Sequence, residues 1–177
     1  MIENNEVLEV KRFLYFGNFN DHYNTIVRDN KVRLSSSSTR SSIEFCRMNK
    51  FLIEDNKFVN SGNMYSYMKN TSCFIAVLPV NDKDSKSSNI AIRNNTFSFD
   101  SNNEEYMIFR KNYYDPTNHD NISELSDVVI EGNIAPNDCC YIVNKEVKKG
   151  MKIKVTLEGG DVKANCKVLT NSVLKTL

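Results

Sequence analysis

Two carboxylates and one loop are the places where this chain has residues suited to chemistry. Glu44 sits in the short apolar segment Ile43-Glu-Phe45, and Asp115 sits in the loop Lys111-Asn-Tyr-Tyr-Asp-Pro-Thr-Asn-His-Asp-Asn-Ile-Ser-Glu124. Glycoside hydrolysis needs two carboxyl groups roughly 5 to 10 Å apart on rigid elements. Glu44 and Asp115 are therefore weak catalytic candidates. The loop also carries Tyr113, Tyr114, His119 and Asp120, and Arg110 stands just before it. Tyrosine rings cover the apolar face of a sugar, and carboxylates and amides bind its hydroxyls. Tyr113, Tyr114, Asp115, His119, Asp120 and Arg110 thus form a candidate glycan surface. The other reading is that the tyrosines pack the loop against the wall of the fold, and the residues leave both open. Connections longer than about 12 residues inside a compact domain are commonly functional.

Other chemistries find no support in the residues. His22 and His119 are the only histidines and lie far apart, so no nucleophile–base pair is legible. Cys139 and Cys140 are adjacent. In a strand they point to opposite faces, and no partner stands at zinc-ligand spacing. No glycine-rich phosphate loop occurs, and no metal or cofactor is expected. The net charge is +1, too small to draw nucleic acid, and there is no basic stripe. No apolar run approaches the roughly 20 residues of a membrane span. The start, Met-Ile-Glu-Asn-Asn-Glu, is acidic and polar and unlike a secretory signal. Cys46, Cys73, Cys139, Cys140 and Cys166 form an odd set without a CxxC, which suits a reduced compartment.

The elements that would position these residues come from a repeat. The 177 residues include 25 asparagines, six glycines and three prolines. Asparagine is a poor helix former that tolerates left-handed turns. Four segments superimpose without gaps: Ile26-Val-Arg-Asp-Asn30, Leu52-Ile-Glu-Asp-Asn56, Ala91-Ile-Arg-Asn-Asn95 and Val129-Ile-Glu-Gly-Asn133. Each has an apolar pair, a charge, a turn residue and an Asn. An apolar residue soon follows: Val32, Phe58, Phe97 and Ile134. A second set, Phe13-Leu-Tyr-Phe16, Ile43-Glu-Phe45, Phe74-Ile-Ala-Val77, Tyr106-Met-Ile-Phe109 and Tyr141-Ile-Val143, recurs between them. Period-two alternation marks both sets as strands with one buried face.

The segments "FLIEDNKFVNS" and "NIAIRNNTFSFD" resemble the parallel β-helix repeats of the pectate-lyase-like superfamily, over about residues 12 to 144. That superfamily includes pectinases, alginate epimerases and lyases, and many phage tailspikes. The resemblance implies an all-β chain, a right-handed single-stranded parallel β-helix of about four coils with a C-terminal β-hairpin cap. Asn30, Asn56, Asn95 and Asn133 are then the corner residues, taking positive φ and stacking as an amide ladder at about 4.8 Å. Arg28, Glu54, Arg93 and Glu131 form a column of alternating sign, which reads as structural. Polygalacturonases of this fold cluster aspartates and a histidine on neighbouring strands, and no such cluster is found. Pectate lyases set calcium carboxylates beside an arginine. Arg47 and Arg110 end strands here without acidic companions.

The expected division is a lead-in over 1-11, the parallel strands over 12-150, and a cap or oligomer contact over 151-177. In the last, Met151-Lys-Ile-Lys-Val-Thr-Leu157 and Asp161 to Leu169 pair about Gly159-Gly160. With few coils and no clear N-terminal cap, a homo-oligomer is expected, a trimer by likeness to tailspikes. The favoured reading is a phage or virus structural protein binding a cell-surface polysaccharide, in a virion or cytoplasmic assembly. The alternatives are a carbohydrate-active enzyme and a piece of a larger β-helix.

Overall fold

A computed structural model describes residues 1–17, 21–38, 41–61, 72–77, 86–99, 106–111, 124–134, 139–142, 167–170 and 173–176. The described residues are all-β, without a helix, and the chain lays its strands down in rounds. The first round is β1 (Ile2–Glu3), β2 (Glu6–Val10) and β3 (Leu14–Phe16). The second is β4 (His22–Arg28), β5 (Lys31–Leu34) and β6 (Ile43–Phe45), and the third is β7 (Met48–Glu54), β8 (Lys57–Asn60) and β9 (Ser72–Val77). The fourth is β10 (Lys86–Arg93), β11 (Thr96–Phe99) and β12 (Tyr106–Lys111). The fifth has β13 (Glu124–Glu131) and β14 (Cys139–Ile142), and β15 (Lys167–Thr170) and β16 (Val173–Thr176) follow.

The first four rounds each contribute one strand to each of three sheets, and among the described residues the fifth meets the second sheet only through a bridge from Ile134 to Thr96. The first sheet runs β1-β4-β7-β10-β13, the second β2-β5-β8-β11, and the third β3-β6-β9-β12-β14-β15-β16. Every pairing is parallel except β15 with β16. The stretch 1-11, read from the sequence as a lead-in, supplies β1 and β2. β15 lies between β14 and β16 and pairs antiparallel with β16; Met151–Leu157, the other arm of the expected hairpin, lies outside the described residues.

Register explains the apolar pattern. In the first sheet Ile2, Val27, Ile53, Ile92 and Ile130 lie opposite one another, and from Val27 onward they are buried. The other member of each apolar pair, Ile26, Leu52, Ala91 and Val129, faces outward and is half-buried. In the second sheet Val7, Val32, Phe58 and Phe97 align, and the rings of Phe58 and Phe97 stack at 5.4 Å and 11°. Phe74 packs on Phe97 at 4.8 Å, closing the core between the second and third sheets. Ile134 breaks the expectation. It bridges Thr96, one place before Phe97, and is 66% exposed. It follows Asn133 directly, whereas Val32, Phe58 and Phe97 come two residues after their asparagines.

The third sheet also departs from the sequence alignment. Ile43 pairs with Leu14 and Ile75, not with Phe13 and Phe74. A slip of one residue exchanges the two faces of a strand. The error is invisible in this sheet because Ile43 to Phe45 and Phe74 to Val77 are buried on both faces.

One left-handed bend recurs in every round, and a second in the second to fifth rounds. Asn4, Asp29, Asp55, Asn94 and Gly132 have φ between 54° and 62°. These residues precede the ladder asparagines, so the positive φ expected at Asn30, Asn56, Asn95 and Asn133 belongs one residue earlier. That position holds only Asn, Asp or Gly, the residues that enter this region most cheaply. Asn24, Lys50, Asn89 and Asp127 form the second set, five residues earlier, with φ from 52° to 58°. They interrupt the ladder pairing at matching points of β4, β7, β10 and β13.

The asparagine ladder is present and longer than expected. Asn30, Asn56, Asn95 and Asn133 are buried, and Asn5 heads the row. Nδ2 of Asn5 donates to Oδ1 of Asn30 at 2.9 Å, and the same bond links Asn30 to Asn56, Asn56 to Asn95, and Asn95 to Asn133. Backbone N–H groups of Asn5, Asn30, Asn56 and Asn95 donate to the same oxygens. Each inner Nδ2 also donates to a carbonyl of the preceding round, as Asn56 does to Val27 O at 2.9 Å. Each amide therefore holds three rounds together, and satisfies backbone groups that a bend would otherwise strand.

Candidate functional site

The outer face of the third sheet, at β3 and β6, carries a group of polar and aromatic side chains outside the asparagine ladder. β3 and β6 pair with Tyr15 opposite Glu44. Leu14, Phe16, Ile43 and Phe45 turn into the core, so Tyr15 and Glu44 project from the other face. Tyr15 is 52% exposed while Glu44 is buried. Arg12 spans the two. Its guanidinium carbon stands 4.4 Å from the Tyr15 ring centroid, and Nη1 lies 3.2 Å from Glu44 Oε2. The Ser41 N–H donates to Glu44 Oε1 at 3.2 Å. Glu44 Oε1 thus accepts a hydrogen bond, while buried Oε2 has the Arg12 ion pair but accepts no hydrogen bond.

Further along the same edge, Cys46 connects this group to a second one. Burial pushes its thiol pKa up to about 11, Glu44 pushes it in the same direction, and Arg47 opposes them. The thiol therefore feels both neighbouring charges. Arg47 Nη1 lies 3.7 Å from Asp21 Oδ1, and Tyr23 donates its hydroxyl to Asp21 Oδ2 at 3.0 Å. That hydrogen bond, with the carboxylate's charge, raises the Tyr23 phenol pKa. Tyr23 is 59% exposed. The segment is fixed by the His22 N–H donating to Arg47 O at 3.3 Å and by the His22 ring edge-on to Phe16 at 5.2 Å. Each exposed ring is thus joined to one guanidinium and one carboxylate, Tyr15 with Arg12 and Glu44, and Tyr23 with Arg47 and Asp21.

Glycoside hydrolysis needs a second carboxyl group roughly 5 to 10 Å away. Glu44 has Tyr15 and Ala76 as its register neighbours, so no second carboxylate stands beside it in its column. Arg110 lies in that column too, opposite Ala76 and Ile142, which places its backbone two strands from Glu44. Tyr113, Tyr114, Asp115, His119 and Asp120 lie outside the described residues. Among the described residues no group of three or more His, Cys, Asp or Glu could hold a metal ion. No helix among them is long and apolar enough to cross a membrane.

The column of alternating charge is also present, and Glu3 extends it. Glu3, Arg28, Glu54, Arg93 and Glu131 follow one another in register. Arg28 Nε lies 2.8 Å from Glu3 Oε2 and Arg93 Nε 3.0 Å from Glu54 Oε2. Arg12, Tyr15, Asp21, Tyr23 and Arg47 were not legible as a group in the sequence. The one signal was Tyr15, the polar member of an otherwise apolar strand. No family model, curated protein or solved structure matches this chain.

Proposed function

We propose that the chain is a right-handed, single-stranded parallel β-helix of the pectate-lyase-like kind, serving as a tailspike- or fibre-like structural protein of a phage or virus that binds surface glycans without catalysis of its own. Three sheets, visited in the same order in the first four rounds and paired in parallel through them, support the architecture. In this reading the protein acts in a virion, as a homo-oligomer, a trimer by likeness to tailspikes. One observation carries the glycan reading: exposed Tyr15 stands with Arg12 and Glu44, and exposed Tyr23 with Asp21 and Arg47, at the ends of neighbouring strands β3, β4 and β6. Aromatic faces take the apolar side of a sugar ring, and the preset guanidinium of Arg12 binds its oxygens with little ordering cost.

The test is titration of the full chain against a panel of bacterial surface polysaccharides, with a reducing-end assay in parallel. The expected result is saturable binding that Tyr15→Ala and Tyr23→Ala together weaken by about tenfold or more, with no release of reducing ends. Absence of binding across the panel, or binding untouched by the double variant, would refute it. Turnover that depends on Glu44 would instead establish an enzyme.

A further inference from the structure

On the outer face of the first sheet, two rows of side chains run in register from β4 to β13. One row is Ile26, Leu52, Ala91 and Val129, each half-buried. Their neighbours Val27, Ile53, Ile92 and Ile130 are buried in the core, so alternation turns this row outward. The other row is Arg28, Glu54, Arg93 and Glu131, two residues further along each strand. Its guanidiniums reach solvent, with Arg28 40% and Arg93 41% exposed. An apolar row and a row of alternating charge therefore share one wall.

We propose that this wall is a contact between two copies of the chain, related by a twofold axis that runs along the strands and passes between β7 and β10. Such an axis keeps the strand direction and reverses the order of rounds, so each row faces itself read backwards. A column that alternates in sign is complementary to its own reverse whenever the axis falls between two rounds, whatever number of rounds the stack holds. Here Glu54 meets the partner's Arg93, and Arg28 meets the partner's Glu131. The apolar row selects the same axis. Between β7 and β10 it opposes Leu52 to Ala91, a large side chain to a small one, as interdigitating layers require, and Ile26 to Val129. An axis between β4 and β7 opposes Ile26 to Leu52, two large residues, and one between β10 and β13 opposes Ala91 to Val129, two smaller ones. Charge and volume thus agree on a second copy as the occupant. A threefold axis along the stack sets equal rounds together, arginine by arginine, so a trimer uses other faces. The contact uses none of the residues that carry the glycan reading, and either can fail alone.

Four strands at about 4.8 Å make a wall about 19 Å tall, so a weak and reversible pair is expected. Sedimentation of the full chain from micromolar to near-millimolar concentration should show a reversible doubling of mass. Glu54→Arg sets two arginines face to face across the axis, and Arg93→Glu sets two glutamates. By symmetry each clash occurs twice, and each variant alone is expected to pair about tenfold more weakly or worse. Mixed in equal amounts, the two variants bring opposite charges together at both places, and pairing should return to about the wild-type strength. Mixing repairs nothing within either chain, so the rescue reports the contact and not the fold. Circular dichroism checks that each variant is folded, and Arg28→Glu mixed with Glu131→Arg makes the same exchange at the outer positions. Three results overturn the proposal. One is a single mass at every concentration, which leaves the wall to a different partner. Another is variants that pair as the wild type does, which places the contact elsewhere. The last is a mixture that pairs no better than its parts.

Discussion

Replacing Asn56 by alanine tests the ladder at its centre. Oδ1 of Asn56 accepts from the Asn30 backbone N–H at 3.0 Å and from Asn30 Nδ2 at 2.9 Å. Its own Nδ2 donates to Asn95 Oδ1, Val27 O and Glu54 O, each at 2.9 Å. The residue is 2% exposed, so water does not replace these bonds. A methyl group leaves the Asn30 N–H without its acceptor and Val27 O without a donor. A buried group left unsatisfied costs about 1–3 kcal/mol. Two such groups, with the remaining bonds weakened, give a loss of about 3–5 kcal/mol. That is a large part of the roughly 5–15 kcal/mol that separates folded from unfolded chains. Asn5→Ala makes the matching change where water reaches the amide, and is expected to cost about 1 kcal/mol. The assay is urea unfolding followed by circular dichroism, with the slope against denaturant unchanged so that midpoints report stability. A loss below about 1 kcal/mol at Asn56, or equal losses at Asn56 and Asn5, would refute the claim that buried amides hold the rounds together.

Other expectations follow from the same geometry. An alanine at Gly132 sets its Cβ against Oδ1 of exposed Asn94 at a φ of +62°; the amide can swing aside, so Gly132→Ala should cost about 1–2 kcal/mol, mostly backbone strain that adding Asn94→Gly does not return. The Cys46 thiol, raised to about 11 by burial and Glu44, is neutral in the fold at pH values where an unfolded thiol has begun to ionise. Its contribution is therefore complete below the ordinary thiol pKa and lost as pH rises toward 11, so the unfolding midpoint should fall across that window in wild type and less in Cys46→Ala. A double-mutant cycle on Glu54→Ala and Arg93→Ala should give a coupling below about 1 kcal/mol that shrinks with salt, because Arg93 is 41% exposed. Asp21→Asn should lower the Tyr23 phenol pKa toward its ordinary value, read from the absorbance of the phenolate during a pH titration.

What the sequence disclosed, and what it hid, follows from which constraints are local. The bend needs a small set of residue types, so Asn30, Asn56, Asn95 and Asn133 announced themselves and did align. Ile2-Glu-Asn-Asn5 carries the same signature of apolar, charge, turn residue and Asn. It was passed over because its surroundings looked like a polar chain end. The left-handed residue was misplaced by one because both positions of each corner favour Asn. Only the variety at the first position, Asp, Asn or Gly, separates them. The second column of bends was illegible, since Lys50 occupies it alongside Asn24, Asn89 and Asp127, and lysine is no turn signal. Strand register in the third sheet is set by contacts across rounds of unequal length. Apolar residues on both faces gave nothing to choose between Phe13 and Leu14. The Tyr15–Arg12–Glu44 group depends on that register, so it became visible only with the pairing.

The asparagine row also has a mechanical meaning. Its bonds run from round to round, across sequence separations of 25, 26, 39 and 38 residues, while the two bends in the second to fifth rounds stay five residues apart. A load applied along the stack pulls each amide bond in line with its own direction and meets one round at a time. Under tension the molecule is expected to peel in steps, each releasing one round's length of chain, on the order of 90 to 140 Å at about 3.5 Å per residue. Because the outermost amide is wet and the inner ones are dry, the first step needs the least force. The stack is expected to open first at Asn5 and to hold longest at its buried amides.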